Sequence, residues 1–554
     1  MNAWLRWGCA ALLLASCRDA EEVANSADSD GPDGGSSTTG ETPEHDPPSA
    51  AEPKAGRLTH LQYRYAVLDV LGVEMTDDEI DALPRDIPTG RDYSTTIGPQ
   101  SFNSSYVLAY AQIARSVTER LDLDQLVAEV AGCDGIDPSC RPALVERLGL
   151  QMYRRPLTPD EQERYLDLAT AIAAASETTE HDVVRGIVQA MMQAPSFLYR
   201  IENEIEGEPG TVHVVDGYEL ATRLSFFLWQ SAPDEELLEF AAGPEGDGEF
   251  DPDAVSEQID RMLADPRFAR SRSLFWGDYT LASRSAFGTS DTALADELRN
   301  SLVATLERIS GASGSEEPLS ALFDGRELVM TPAVAELAGA TVQGEGLQVY
   351  DVADMDERLG VVTHPAMLAS MGTTSFVGRG LFLSERLLCQ RVATPPDEVS
   401  EDIENTAQAT EDMTPREASE FRFGLEPVCL SCHTQFEPIA YAFERYDITG
   451  HFSTVDEHGR ALFSHGVLPP NGDRPEIAFA DAPELLSQLA QDQTVYRCLV
   501  DNMTEFGTGQ PPSALGNFLD LATVAFLRDG LTFEQLVRAV ATNEQRTLTR
   551  VVEP

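Results

Sequence analysis

Arg57-Leu-Thr-His-Leu-Gln-Tyr-Arg-Tyr-Ala-Val-Leu-Asp-Val-Leu71 sets Leu61, Tyr65, Leu68 and Leu71 on one face at helical spacing. The same period recurs over Phe102–Val130 through Tyr106, Tyr110, Ile113, Val117 and Leu121. Thr158-Pro-Asp-Glu161 reads as a capping box with proline in the first helical turn, and Thr414-Pro-Arg-Glu417 repeats it. A further helix is expected over Val495–Phe506. Strand-like runs are short, at Thr211–Val215 and Glu327–Met330. There is no sustained alternation, no solenoid period and no glycine-rich phosphate fingerprint. These patterns predict a mostly α chain.

About 500 residues of folded body are too many for one core, so several packed helical domains are expected. Gly207-Glu-Pro-Gly210 separates a first helical region from a second. Gly243–Gly248 reads as an exposed turn, and Gly311–Pro318 as the break after another helix. Thr394–Met413 is rich in proline, then acidic, and longer than most connections in compact domains. It reads either as a flap over a site or as a solvated surface loop.

Cys429-Leu-Ser-Cys432-His433 carries the chemistry. Two cysteines three apart share a helix face, and the spacing is that of covalent c-type haem attachment. Cys429 and Cys432 would form the thioethers, and His433 would be the proximal ligand of the iron. The cofactor expected is therefore covalent haem c, in a small cytochrome-c-like helical segment near the C-terminus. The rival readings are a disulfide or redox pair, a zinc knuckle completed by His451, His458 or His465, and a chance motif.

Haem attachment of this kind needs export, and the N-terminus supports it. Arg6 precedes the apolar run Cys9–Ala15, which is too short to span a bilayer. Leu14-Ala15-Ser16-Cys17 resembles a bacterial lipobox, which implies cleavage before Cys17 and lipidation of its sulfur. The next stretch, to about Lys54, has almost no large apolar residue and cannot bury enough surface to offset its ordering entropy. It reads as a tether to a membrane surface, in a cell-envelope lipoprotein facing the periplasm or the cell exterior. Of the 8 cysteines, Cys9 leaves with the signal, Cys17 takes lipid and two take haem. Cys133 with Cys140, and Cys389 with Cys498, are then the natural disulfides of an oxidising compartment, the alternative being buried free thiols.

The chain carries 39 basic and 93 acidic residues, a formal net charge of −54. Nucleic acid and anionic lipid would repel it. A cationic redox partner, or plain solubility in salt, suits this balance. Lys54 is the single lysine and lies in the tether, which excludes Schiff-base and P-loop lysine chemistry from the folded part. Every other basic residue is arginine, suited to ion pairs with the many carboxylates.

Several motifs in order resemble a large exported bacterial family. Arg57–Tyr63 with Asp69-Val-Leu-Gly72 is similar to its opening module. Arg154-Arg-Pro-Leu157 with Glu161, and Glu219–Trp229 with Pro233-Asp234, are similar to the next two. Arg358-Leu-Gly-Val-Val-Thr363, Arg379-Gly380, the cysteine-histidine motif, Phe443-Glu444 and Asp447–Gly450 are similar to the fourth, and Cys498–Gly509 to the start of the last. These are domains of unknown function, numbered fifteen-eighty-five to fifteen-ninety-five. The resemblance implies a secreted, mostly helical protein with a cytochrome-c-like segment and supplies no reaction. The division expected is a signal peptide (1–17), an acidic linker (18–55) and helical modules at 56–131, 132–207, 208–343, 344–470 (haem motif) and 471–554. The chain departs from the family in having Phe436-Glu437-Pro438 where Met-Asp-Pro is usual, and Ser453 near a usual arginine.

The sixth ligand of the iron is open. Met503, on the Val495–Phe506 helix, is the first candidate and would raise the potential. His451, His458 and His465 would lower it, and an empty position would permit oxygen or peroxide chemistry. Two functions follow: electron transfer at the cell envelope, or a haem-dependent oxidative enzyme acting on an extracellular polymer. A structural envelope protein with a disulfide in place of haem is the third.

Overall fold

Threonine and aspartate start most of the helices. Thr59 Oγ1 accepts from Gln62 N at 3.0 Å, while Gln62 Oε1 accepts from Thr59 N at 3.1 Å. The first helix therefore runs from His60 to Leu71, and Gly72 ends it at φ 68°. Reciprocal boxes also open Pro159–Ala173 and Glu180–Met192. Asp216, Asp234, Asp251, Asp291, Asp481 and Asp492 cap other helices. Part of the acidic excess thus sits at helix N-termini, where free amides and the helix dipole favour negative charge.

The computed structural model describes residues 55–551, except 85, 87–92, 96–103, 203–211, 244–249, 284, 286, 312–315, 354, 393–411, 425–426, 473, 510–517 and 544–548. The signal segment, Cys17, the tether, the Gly207–Gly210 boundary and nearly all of Thr394–Met413 lie outside the described residues. The described chain is mostly α-helical, with a few two-stranded ribbons.

Two expectations about elements change in detail. The single helix expected over Phe102–Val130 is Ser104–Arg120 followed by Leu123–Leu126, which continues as a wider turn to Ala131. Asp122 causes the restart: its carboxylate accepts from Gln125 N at 3.0 Å. The helix expected over Val495–Phe506 extends from Gln493 to Thr508 because Asp492 caps it and Gly509 ends it at φ 65°. The short strands form at Val212–Val214 and Glu327–Met330, antiparallel to Thr549–Val551 and Gln348–Asp351.

These helices pack around two hydrophobic cores within one compact unit. The first gathers residues between Leu58 and Leu198, including Tyr63, Ile113, Leu148 and Ile187. The second gathers residues between Val215 and Ala541, including Trp229, Phe275, Leu302, Leu383 and Phe443. Each is closed by a ribbon joining its own beginning and end. Ala55–Arg57 pairs with Tyr199–Ile201 for the first, and Val212–Val214 with Thr549–Val551 for the second.

One aromatic crosses in each direction. Phe226 packs into the first core, with the guanidinium carbons of Arg154 and Arg200 5.6 and 5.5 Å from its ring centroid. Tyr93 packs into the second, stacked on Phe275 and donating its hydroxyl to Asn502 Oδ1 at 2.7 Å. Polar ties complete the seam: Gln62 Nε2 donates to Gln230 Oε1 at 3.0 Å, and Arg270 pairs with Asp69 at 2.6 Å. No helix among the described residues is long and apolar enough to cross a membrane.

Candidate functional site

The cysteine-histidine motif opens the Pro427–Tyr441 helix. Proline is well placed there, since its missing N–H would have no helical partner. Cys429 lies on this helix, and its side chain is outside the described residues. Cys432 is an exposed free thiol, and Leu430 between the two is 44% exposed. The preceding helix, Pro415–Gly424, starts with the expected box, in which Thr414 N donates to Glu417 Oε2 at 2.8 Å. The two helices pack on each other.

His433 is held on two sides. Phe423 stacks on its ring at a centroid separation of 3.4 Å and an interplanar angle of 15°. Its Nδ1 lies 3.0 Å from Glu437 Oε1, one helical turn on. A carboxylate accepts, so this contact selects the tautomer with the proton on Nδ1. Among the described residues Nε2 has no hydrogen-bond partner, and the side chain is 19% exposed. Stacking covers a ring face and leaves the edge bearing Nε2 to a ligand. Glu437 is itself anchored: Ser419 Oγ lies 3.0 and 2.9 Å from its two oxygens, and the Tyr441 hydroxyl donates to Oε2 at 3.4 Å. In the sequence Glu437 stands out only as a departure from the Met-Asp-Pro pattern. Its four-residue spacing from His433 is the signal that could have found it.

The Phe376–Leu388 helix supports this segment. The two backbones meet at Gly380, where a Cβ would lie 2.6 Å from the Phe436 carbonyl oxygen and 3.2 Å from Glu437 Cα. Only glycine fits this crossing. Next to it, Arg379 is buried and donates to the carbonyls of Thr373, Phe443, Tyr446 and Asp447 at 2.7–2.9 Å. It thus satisfies acceptors just past the C-terminal end of the motif helix. Arg358 does the same for Ala338, Thr363 and Gly450 at 2.5–3.0 Å. Burial lowers the pKa of both guanidiniums, that of Arg379 to about 10, which leaves Arg379 charged at neutral pH.

The proposed sixth ligands lie in different settings. Met503 is 1% exposed in the second core, on a helix that packs against Phe376–Leu388, Phe518–Asp529 and Phe533–Ala541. His451, His458 and His465 are exposed. The His465 carbonyl, just before the Gly466–Leu468 strand, accepts from Arg416 at 2.6 Å, which ties this stretch to the helix that carries Phe423. Among the described residues no group of three or more histidine, cysteine and acidic side chains is arranged to hold a metal ion.

Both expected disulfides form, with Cα separations of 6.4 Å for Cys133–Cys140 and 5.3 Å for Cys389–Cys498. The second ties the end of the Phe376–Leu388 helix to Gln493–Thr508. Asn502 Nδ2 reaches both sulfurs, at 3.5 and 3.3 Å.

Three family descriptions match in chain order. Residues 140–202 match PSD5, a protein of unknown function (DUF1595), and residues 215–339 match PSD4, likewise of unknown function (DUF1592). Residues 358–456, which contain the cysteine-histidine motif, match PSCyt3, a protein of unknown function (DUF1588). The chain has a multi-module architecture of domains of unknown function. No curated protein and no solved structure matches it. Within these modules the arginines of the sequence motifs are structural. Arg154, in the PSD5 span, donates to the carbonyls of Met152, Ser196, Phe197 and Tyr199, as Arg358 and Arg379 do to theirs in the PSCyt3 span. The expectation that arginine serves ion pairs holds for Arg261 and Arg267 around Asp234, but not for these three, which bind carbonyl oxygens instead.

Proposed function

We propose that this chain is a lipid-anchored, exported c-type haem protein that transfers electrons at the cell envelope. The observation that carries the reading is His433 itself: Nδ1 is held by a buried carboxylate and Nε2 has no partner among the described residues, one residue after an exposed Cys432. That donor set fits haem. Cys429 and Cys432 would hold the porphyrin and His433 would ligate the iron, which supplies one-electron chemistry when bound. The protein orients the imidazole through Phe423 and Glu437 and leaves apolar side chains exposed on and beside the motif helix. Leu430 on the motif helix, and Phe421, Phe463 and Val467 on elements that pack with it or adjoin one that does, are all more than a third exposed.

Cys17 would carry the lipid and the acidic tether would set the reach from the membrane surface. A cationic protein is the redox partner that this charge would attract. Met503 and the exposed histidines are the proposed sixth ligands. The test is expression with haem-maturation machinery. Intact mass should exceed the polypeptide by one haem, the spectrum should change with dithionite, and Cys432→Ala should lose stable attachment. Apo mass from a competent host would refute the haem reading. Cys17→Ser should release the protein from membranes, and retention after that change would refute the lipid anchor.

A further inference from the structure

Glu437 is built into the site more thoroughly than a helix-surface carboxylate needs to be. It is 2% exposed, and it meets His433 Nδ1 at 3.0 Å and Ser419 Oγ through both of its oxygens. The Tyr441 hydroxyl approaches from the next turn, and Gly380 presses on its backbone at the helix crossing. Phe423 fixes the ring plane of the histidine, so the imidazole and the carboxylate cannot turn away from each other independently. Ser419 and Phe423 both come from the Pro415–Gly424 helix. One helix therefore sets both the acceptor and the ring.

A histidine that binds a metal through Nε2 is made a stronger donor when its Nδ1–H points at a carboxylate rather than at a carbonyl or water. In a buried site this polarisation is larger, because little solvent screens it. We infer that Glu437 is a positioning residue that strengthens His433 as a ligand and stabilises the oxidised iron, lowering the reduction potential of the haem. The inference rests on the haem reading above. It assigns to Glu437 a role in setting the driving force of electron transfer, and to Ser419 the holding of that carboxylate.

The experiment is spectroelectrochemical titration of the full-length, haem-loaded protein. The variants are Glu437→Gln, Ser419→Ala and, as a charge control, Glu420→Gln. Glu420 lies on the neighbouring helix, and its side chain is 54% exposed. Glu437→Gln keeps the shape and an acceptor but removes the charge at Nδ1, so the potential should rise. It should rise by more than in Glu420→Gln, and Ser419→Ala should move it by a smaller amount in the same direction. If haem is attached and Glu437→Gln shifts the potential no more than Glu420→Gln, the inference is overturned and the haem reading stands. If the wild-type protein carries no haem by intact mass, both fall together. Should Glu437→Gln fail to fold, Ser419→Ala decides. A rise beyond that of the control supports the role of the carboxylate, and none overturns it.

Discussion

Replacing Gly380 with alanine sets two effects of known sign against each other. An exposed helix gains about 1 kcal/mol from this change through intrinsic propensity. Here, however, the new methyl would lie 2.6 Å from the Phe436 carbonyl oxygen, 3.1 Å from Phe436 Cδ2 and 3.2 Å from Glu437 Cα. Two of those neighbours are backbone and cannot rotate aside. To reach an ordinary contact the Phe376–Leu388 and Pro427–Tyr441 helices must separate by a sizeable part of an ångström. A gap of about 0.5–1 Å forfeits roughly a quarter to a half of each dispersion contact along the seam. Overpacking of this kind costs about 1–3 kcal/mol, and with two backbone neighbours this site falls in the upper half of that range, about 2–3 kcal/mol, so the net effect is destabilising by about 1–2 kcal/mol after the propensity gain. That corresponds to roughly 5- to 30-fold faster opening-limited amide exchange. Hydrogen exchange with mass detection should show the change in peptides covering residues 430–446, with peptides from Glu180–Met192 in the other core unchanged. Unchanged or increased protection in the motif helix would refute the argument that this crossing is closed to any side chain.

Arg379→Met should loosen the same segment more severely. It strands the Tyr446 carbonyl, at roughly 1–3 kcal/mol for a buried group left unpaired, and takes a second donor from those of Phe443 and Asp447, which keep the amides of Tyr446 and Gly450; thermal unfolding should register the loss. Replacing both Cys389 and Cys498 by serine opens a loop of sequence separation 109, worth about 4.8 kcal/mol in the chain-entropy account, so the urea midpoint should fall; non-reducing peptide maps of the wild type should recover the pair. Asp501 gives a pH signature. Burial raises its pKa to about 6 from 3.8, opposed by Arg497 and Arg391 and assisted by Asp520 and Glu505. A raised carboxyl favours the folded state most below the unfolded value, and that contribution disappears as pH climbs through about 6. Asp501→Asn should therefore be more stable than wild type at pH 7, by at most roughly 3 kcal/mol, and less so at pH 4, measured as the difference in urea midpoints.

Local features were legible in the sequence because their causes are local. The boxes at Thr158 and Thr414 form as expected, since both partners lie within one turn. The cysteine pairs followed from counting, with one cysteine assigned to the expected signal, one to lipid and two to haem. Asp122 was missed because apolar periodicity runs straight through it, and its capping role is a competing local signal. The Gly380 crossing could not be read, because nothing near Gly380 announces which backbone will lie against it. The buried arginines were misjudged for a related reason. Charge suggests surface and carboxylate partners, whereas helix ends inside a large core leave carbonyls that only a long multidentate donor can reach. Glu437 stood in plain view one turn after His433. What the sequence concealed was Ser419 and Phe423, brought in from a separate helix to fix the pair.

The two closing ribbons have a consequence for how such a chain is inherited. Ala55–Arg57 and Tyr199–Ile201 are hydrogen-bonded neighbours, so entry to and exit from the first core lie about 5 Å apart; the second core has the same arrangement in Val212–Val214 and Thr549–Val551. Each half is topologically a cassette with its terminals side by side. A gene could lose, duplicate or exchange one half without rerouting the polypeptide of the other, and the half that carries the cysteine-histidine motif could be passed between proteins with its helix crossings intact. Recombination would have to preserve only the seam where Phe226 and Tyr93 trade places, which is a shorter list of constraints than the fold as a whole.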